Sequence, residues 1–162
     1  LILIITLFLA QTLNSTEIYG VPKIIDGDTL HINNKKIRLE GIDAPEIKQQ
    51  CKKPFLKISA IIGFEFNKNY SCGVVVKKKL IDKIDNSKIK CISSSKDRYK
   101  RFLATCFKDK INLNKWMVRN GNAVAYKRYS KDYVRDEAYA KENKLGLWEG
   151  SFMMPEKWRK FN

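Results

Sequence analysis

Two turn dipeptides near the start, Asp26-Gly27 and Asn33-Asn34, constrain the fold of this chain more than any other feature. Such pairs suit tight hairpins because Gly, Asn and Asp tolerate backbone angles that other residues resist. Apolar and β-branched residues flank both. Ile18 to Ile25 therefore reads as a first strand, Thr29 to Ile32 as a second, and Ile37 to Gly41 as a third. A three-stranded antiparallel meander is expected. With 162 residues and 44% hydrophobic content, the chain has material for one domain with a real core.

Downstream, the pattern Val74, Val75, Leu80, Ile81 and Ile84 among lysines has the spacing of an amphipathic helix with a basic outer face. Lys88 to Ile92 and Arg101 to Phe107 read as strands on either side of a polar loop, Ser93 to Lys100. Asn112 to Asn120 reads as a short helix stopped by Gly121, and Ser130 or Asp132 is expected to cap a final helix through Val134, Ala138 and Ala140. Gly146, Leu147 and Trp148 close the domain, and a basic tail to Asn162 is expected to be loose. Gln49 to Ser71 has no period and reads as an irregular loop. No internal repeat is present.

Thirty-two Lys and Arg against 17 Asp and Glu give a net charge of +15, which suits polyanionic partners such as nucleic acid; a generally lysine-rich composition is the competing explanation. Leu1 to Ala10 is almost wholly apolar and too short to span a bilayer, so residues 1–16 read as a secretory signal, with an uncleaved anchor or a buried terminal strand as the alternatives. Cys51, Cys72, Cys91 and Cys106 form an even set, as in small exported domains, against the alternative of four reduced thiols. Three pairings are possible. The near-symmetric placement of Cys91 and Cys106 about Tyr99 favours joining them across a hairpin, which leaves Cys51 with Cys72. The absence of any CxxC pair and the single histidine, His31, argue against zinc.

Charged side chains cluster where the meander ends. Asp26, Asp28, Arg38, Asp43 and Glu46 lie within 21 residues, with Pro45 tightening the last turn. Carboxylates from two places on such a meander can converge on a hard cation, Ca²⁺ or Mg²⁺. Taken singly, the aspartates are explained as well by turn chemistry, and Arg38 by a solvated strand face.

The order of motifs is more telling than any one of them. Asp26 to Leu30, Arg38 to Glu46, Asp97-Arg98-Tyr99-Lys100-Arg101, Val118 to Gly121, Ala125 to Ser130 and Gly146-Leu147-Trp148 together resemble the staphylococcal nuclease, or thermonuclease, family, in its exported bacterial branch. The resemblance implies an α+β fold, a five-stranded OB-fold barrel with about three helices, over residues 17–150, followed by a basic tail, 151–162. It implies a calcium-dependent, sugar-nonspecific endonuclease that cuts DNA and RNA to 3′-phosphate and 5′-hydroxyl ends, prefers single strands, acts as a monomer outside the cytoplasm and has no stable membrane association. By the same resemblance Asp28, Asp43 and the Ala44 carbonyl hold Ca²⁺, and Asp26 braces their turn. Glu46 takes a proton from water or orients it, and Arg38 and Arg101 grip the phosphate. Arg98 and Tyr99 contact substrate, and Tyr126 or Tyr129 borders a base; the bland role for these tyrosines is packing.

One departure stands out. Lys100 occupies the position where the family usually has Gly, so either the turn tolerates Lys or a left-handed backbone strains it. Two other functions compete: a binding module that does not cut, and a basic protein tethered to the envelope by Leu1 to Ala10.

Overall fold

Alternation along the early strands decides which face is buried. Leu30, Ile32, Ile37 and Leu39 are fully buried, while His31 and Lys36 face outward. The structure, a computed structural model, describes residues 15–58 and 64–162. The apolar run proposed as a signal lies almost wholly outside the described residues.

The elements in order are β1 (Thr16–Gly20), β2 (Lys23–Ile24), β3 (Thr29–Ile32), β4 (Lys35–Leu39), β5 (Ile42–Asp43), β6 (Gln50–Ile58) and β7 (Phe64–Ser71). Then come α1 (Cys72–Ile84), β8 (Ile89–Lys96), β9 (Phe102–Lys108), β10 (Ile111–Asn112), α2 (Leu113–Arg119), β11 (Val124–Ala125), α3 (Val134–Glu142), a 3₁₀ turn (Gly146–Glu149) and α4 (Pro155–Phe161). The main sheet runs β1-β8-β9-β4-β3-β2, with β10 on β9. Its two ends, β1 and β2, are consecutive pieces of one strand bent at Val21 and Pro22, so the sheet curls back on itself. With those pieces joined, the path is a five-stranded OB-like barrel.

The turns behave as their residues dictate. Asn33 and Asn34 have φ of 47° and 64°, the left-handed pair that a two-residue hairpin requires between Ile32 and Lys35. At the other turn Asp26 Oδ1 accepts from the amides of Asp28 (2.9 Å) and Thr29 (2.6 Å). Gly27 is needed there because a Cβ would come within 2.5 Å of Val76 and 2.6 Å of Ala44.

Cys91 and Cys106 are register partners on β8 and β9 and are bonded; Cys51 is bonded to Cys72 at the start of α1. Both bridges are the expected ones.

Three expectations need correction. Within the expected loop, Gln50–Ile58 and Phe64–Ser71 pair as antiparallel strands, β6 with β7, whose described side chains are largely exposed, so no hydrophobic period betrays them. Neither Ser130 nor Asp132 caps α3: Ser130 Oγ accepts from the Asp132 amide, and the helix starts after Tyr133 without a side-chain cap. The C-terminal tail is not loose. Pro155, at the first position of α4, presets a helical φ, and the helix reaches Phe161, the fourth α-helix among the described residues.

Candidate active site

Arg38 is the centre of the charged cluster. It stands on β4, opposite Thr29 of β3, which places its guanidinium between two aspartates. Nη1 is paired with Asp28 Oδ1, and Nη2 donates to Asp43 Oδ1 at 2.9 Å. Both acids are almost sealed from solvent, with side chains 2% and 1% exposed, and Arg38 is 13% exposed. Asp28 Oδ2 also accepts from the Ala44 amide at 2.7 Å, so Asp28, Arg38, Asp43 and Ala44 form one connected unit. Buried charges on this scale persist only because each is paired.

Two devices hold that unit in place. Asp43 lies on β5, paired with Val124 of β11. The adjoining Ala125 amide donates to buried Glu137 Oε1 at 3.3 Å, while Glu137 Oε2 accepts from Lys127 and Lys141. At the N-terminus of α1, a Cβ on Gly73 would sit 1.9 Å from the Glu46 carbonyl oxygen, so only glycine lets the helix abut the backbone of Glu46.

Glu46 faces the cluster at partial exposure, and its partner was not foreseen. Arg159 of α4 donates through Nη1 to Glu46 Oε1 at 2.9 Å and through Nη2 to Asp43 Oδ2 at 3.0 Å. No local motif could announce a residue this far along the chain; the sole hint was the basic character of the tail.

Charge and burial pull against each other here. Burial raises the Asp43 pKa above the usual carboxylate range despite the opposing pull of Arg159 and Arg38. Burial also lowers that of Arg38, helped by the nearby positive charge of Arg101 and opposed mainly by Asp43. Burial disfavours the charge on Arg159, but Asp43 and Glu46 outweigh it and hold its pKa above the ordinary value.

Arg101 comes from the turn between β8 and β9, just ahead of Phe102. Its positive charge contributes to lowering the Arg38 pKa, while its own contacts are with Asp97 and Tyr99. Asp97 holds it: Oδ2 accepts from Nε at 2.8 Å and pairs with Nη2 at 2.7 Å, while Oδ1 accepts from the Tyr99 and Arg101 amides. Arg98 and Arg101 both lie against the ring of exposed Tyr99, at 4.8 and 5.4 Å. Lys100 has φ of 62°, so this turn does take the left-handed conformation that Gly would supply freely.

Tyr126 borders the cluster, with Asp43, Ala125, Arg128 and Pro155, around a groove of about 250 Å³. Tyr129 packs edge-on against it at 4.8 Å and is itself largely exposed.

Asp28 and Asp43 offer hard oxygens beside the Ala44 backbone, a donor set that fits Ca²⁺ or Mg²⁺ completed by water. Among the described residues no three His, Cys, Asp or Glu side chains converge as a ready-made cage.

Residues 36–150 match the family model described as staphylococcal nuclease homologue. The chain belongs to that family. It is 34% identical over 148 residues to an "uncharacterized endonuclease" of Haemophilus influenzae, covering 86% of this chain and 71% of that protein. It is 33% identical over 134 residues to the succinoglycan biosynthesis protein ExoI of Rhizobium meliloti, covering 81% of this chain and 64% of the relative, just under two thirds of its length. A micrococcal nuclease of Shigella flexneri is 27% identical over 158 residues, covering 86% of this chain and 79% of that protein. As a staphylococcal nuclease homologue, the chain carries its cluster from Arg38 to Glu46 and its Asp97 to Arg101 turn inside the matched region, whereas Arg159 lies beyond it.

Proposed function

We propose that this protein is an endonuclease that hydrolyses phosphodiester bonds of DNA and RNA with Ca²⁺, leaving 3′-phosphate and 5′-hydroxyl ends. The observation that carries the reading is the placement of Arg38 between Asp28 and Asp43, with Glu46 and the charge of Arg101 alongside. Asp28, Asp43 and the Ala44 carbonyl are the proposed calcium ligands. Bound there, Ca²⁺ would supply positive charge to the scissile phosphate.

The protein groups account for the remaining steps. Arg38 and Arg101 bind phosphate oxygens through guanidinium forks that stay charged as negative charge builds on phosphorus. Glu46 accepts a proton from water as the water oxygen bonds to phosphorus; the bond to the 5′ oxygen breaks, that oxygen takes a proton from solvent to leave as the hydroxyl, and Glu46 returns its proton to solvent. Arg98 and Tyr99 contact the substrate backbone, and Tyr126 borders a base, an arrangement suited to unpaired strands. The two disulfides support a secreted or periplasmic location, where we take the protein to act as a monomer. No helix among the described residues is long and apolar enough to cross a membrane.

The test is incubation of the protein with plasmid and with RNA, in calcium and then in excess chelator. Cleavage should stop on chelation, and Arg101→Ala should abolish it while circular dichroism stays unchanged. Nucleic acid bound but never cut, with binding that survives the chelator, would establish a non-catalytic binding module instead.

A further inference from the structure

Oxygen by oxygen, the two aspartates of this cluster are already taken, and Glu46 is held through one oxygen. Asp28 Oδ1 is held by Arg38 and the Thr29 hydroxyl, Asp28 Oδ2 by the Ala44 amide, and Asp43 Oδ1 by Arg38. Asp43 Oδ2 is held by Arg159, whose other terminal nitrogen holds Glu46. A cation reaching Asp43 through Oδ2 meets Arg159 first.

We propose that Arg159 is a built-in competitor of the divalent cation, a latch from the C-terminal helix that neutralises Asp43 and Glu46 and yields them when the metal binds. The inference rests on the calcium reading above. Charge supports it: setting aside Arg101, which is paired with Asp97, three carboxylates face two guanidiniums with Arg159 in place, and with it withdrawn the same three face Arg38, leaving two negative charges for a divalent ion.

Mobility supports it as well. Arg38 is wedged within the barrel, whereas the Arg159 side chain is 33% exposed and sits in the last turn of a seven-residue helix. The approach to that helix is pinned. Buried Gln49 donates to the Met153 carbonyl at 2.7 Å, and Lys52 and Ser151 exchange two backbone bonds of 2.8 and 2.9 Å. The outer turns of that helix are solvent-facing at Lys157, Lys160 and Phe161. A cation that binds only the unlatched form has its apparent affinity reduced by the fraction of time the latch is open.

Calcium titration calorimetry on the full chain tests this without reading activity. Arg159→Gln should bind Ca²⁺ roughly three- to tenfold tighter than the unaltered protein, the range expected from removing two partly exposed ion pairs. Arg159→Lys, which keeps the charge but loses the fork, should fall between them. In the unaltered protein Ca²⁺ should also speed amide exchange in residues 155–161. Equal or weaker binding by Arg159→Gln, with binding that still requires Asp43, overturns the latch alone. Calcium binding undiminished by Asp43→Asn, or absent from all variants, overturns the metal reading and the latch with it.

Discussion

Lys100 holds a left-handed backbone at φ 62° on the turn that delivers Arg101. A residue with a Cβ pays for that conformation by about 1 kcal/mol. Lys100→Gly should therefore raise the stability by about 1 kcal/mol, read as a higher melting temperature. At Arg38 the expectation is the reverse. Lysine cannot fork between Asp28 and Asp43, so Arg38→Lys should leave a buried carboxylate poorly paired and lower the urea midpoint by an amount equivalent to about 2 to 4 kcal/mol. At this scale the cluster was legible because Asp28, Arg38, Asp43 and Glu46 are close in sequence and types matched to phosphate and hard cations. Arg159 was not, because the contact joining it to Asp43 is made by packing of α4, and nothing beside Arg159 in the sequence encodes it.

Among the elements, α3 acts on the cluster from behind. Buried Glu137 ties β11 to Lys127 and Lys141, and β11 in turn pairs with the strand that carries Asp43. Burial opposes the charge on Glu137, but the two lysines outweigh it and hold its pKa below the ordinary value. A depressed carboxylate contributes stability above its unfolded pKa of about 4.3, and that contribution is lost as pH falls through the folded value. Glu137→Gln should cost about 1 to 2 kcal/mol at neutral pH and flatten the acid limb of a urea-midpoint profile. Elements with a buried face were readable as elements: β3 and β4 alternate around an Asn-Asn turn, and α1 is a helix, but of Val74, Val75, Leu80, Ile81 and Ile84 only Leu80 and Ile84 are buried, with Val76 completing the face. The β6 and β7 hairpin was not, because Lys52 and Lys53 face solvent, and Pro54 interrupts the register where strand residues would normally declare themselves.

At the scale of the whole molecule, the surplus of 15 positive charges should govern substrate capture. Binding of single-stranded DNA should weaken linearly in log–log terms as salt rises, with a slope of about −0.7 per phosphate contacted, measured by fluorescence anisotropy. Reduction of the two disulfides should lower the melting temperature, each contributing about 3 kcal/mol through the loop it closes. The bent first strand also governs the order of assembly. Thr16 pairs with Ser93, and Ile37 with Phe102, so β1 must wait for β8 and β4 for β9 before the seams can form. A polypeptide laid out in this way stays unzipped while it is being threaded out of the ribosome. Its barrel should close late, and refolding should lie on the slow side of the range for its size.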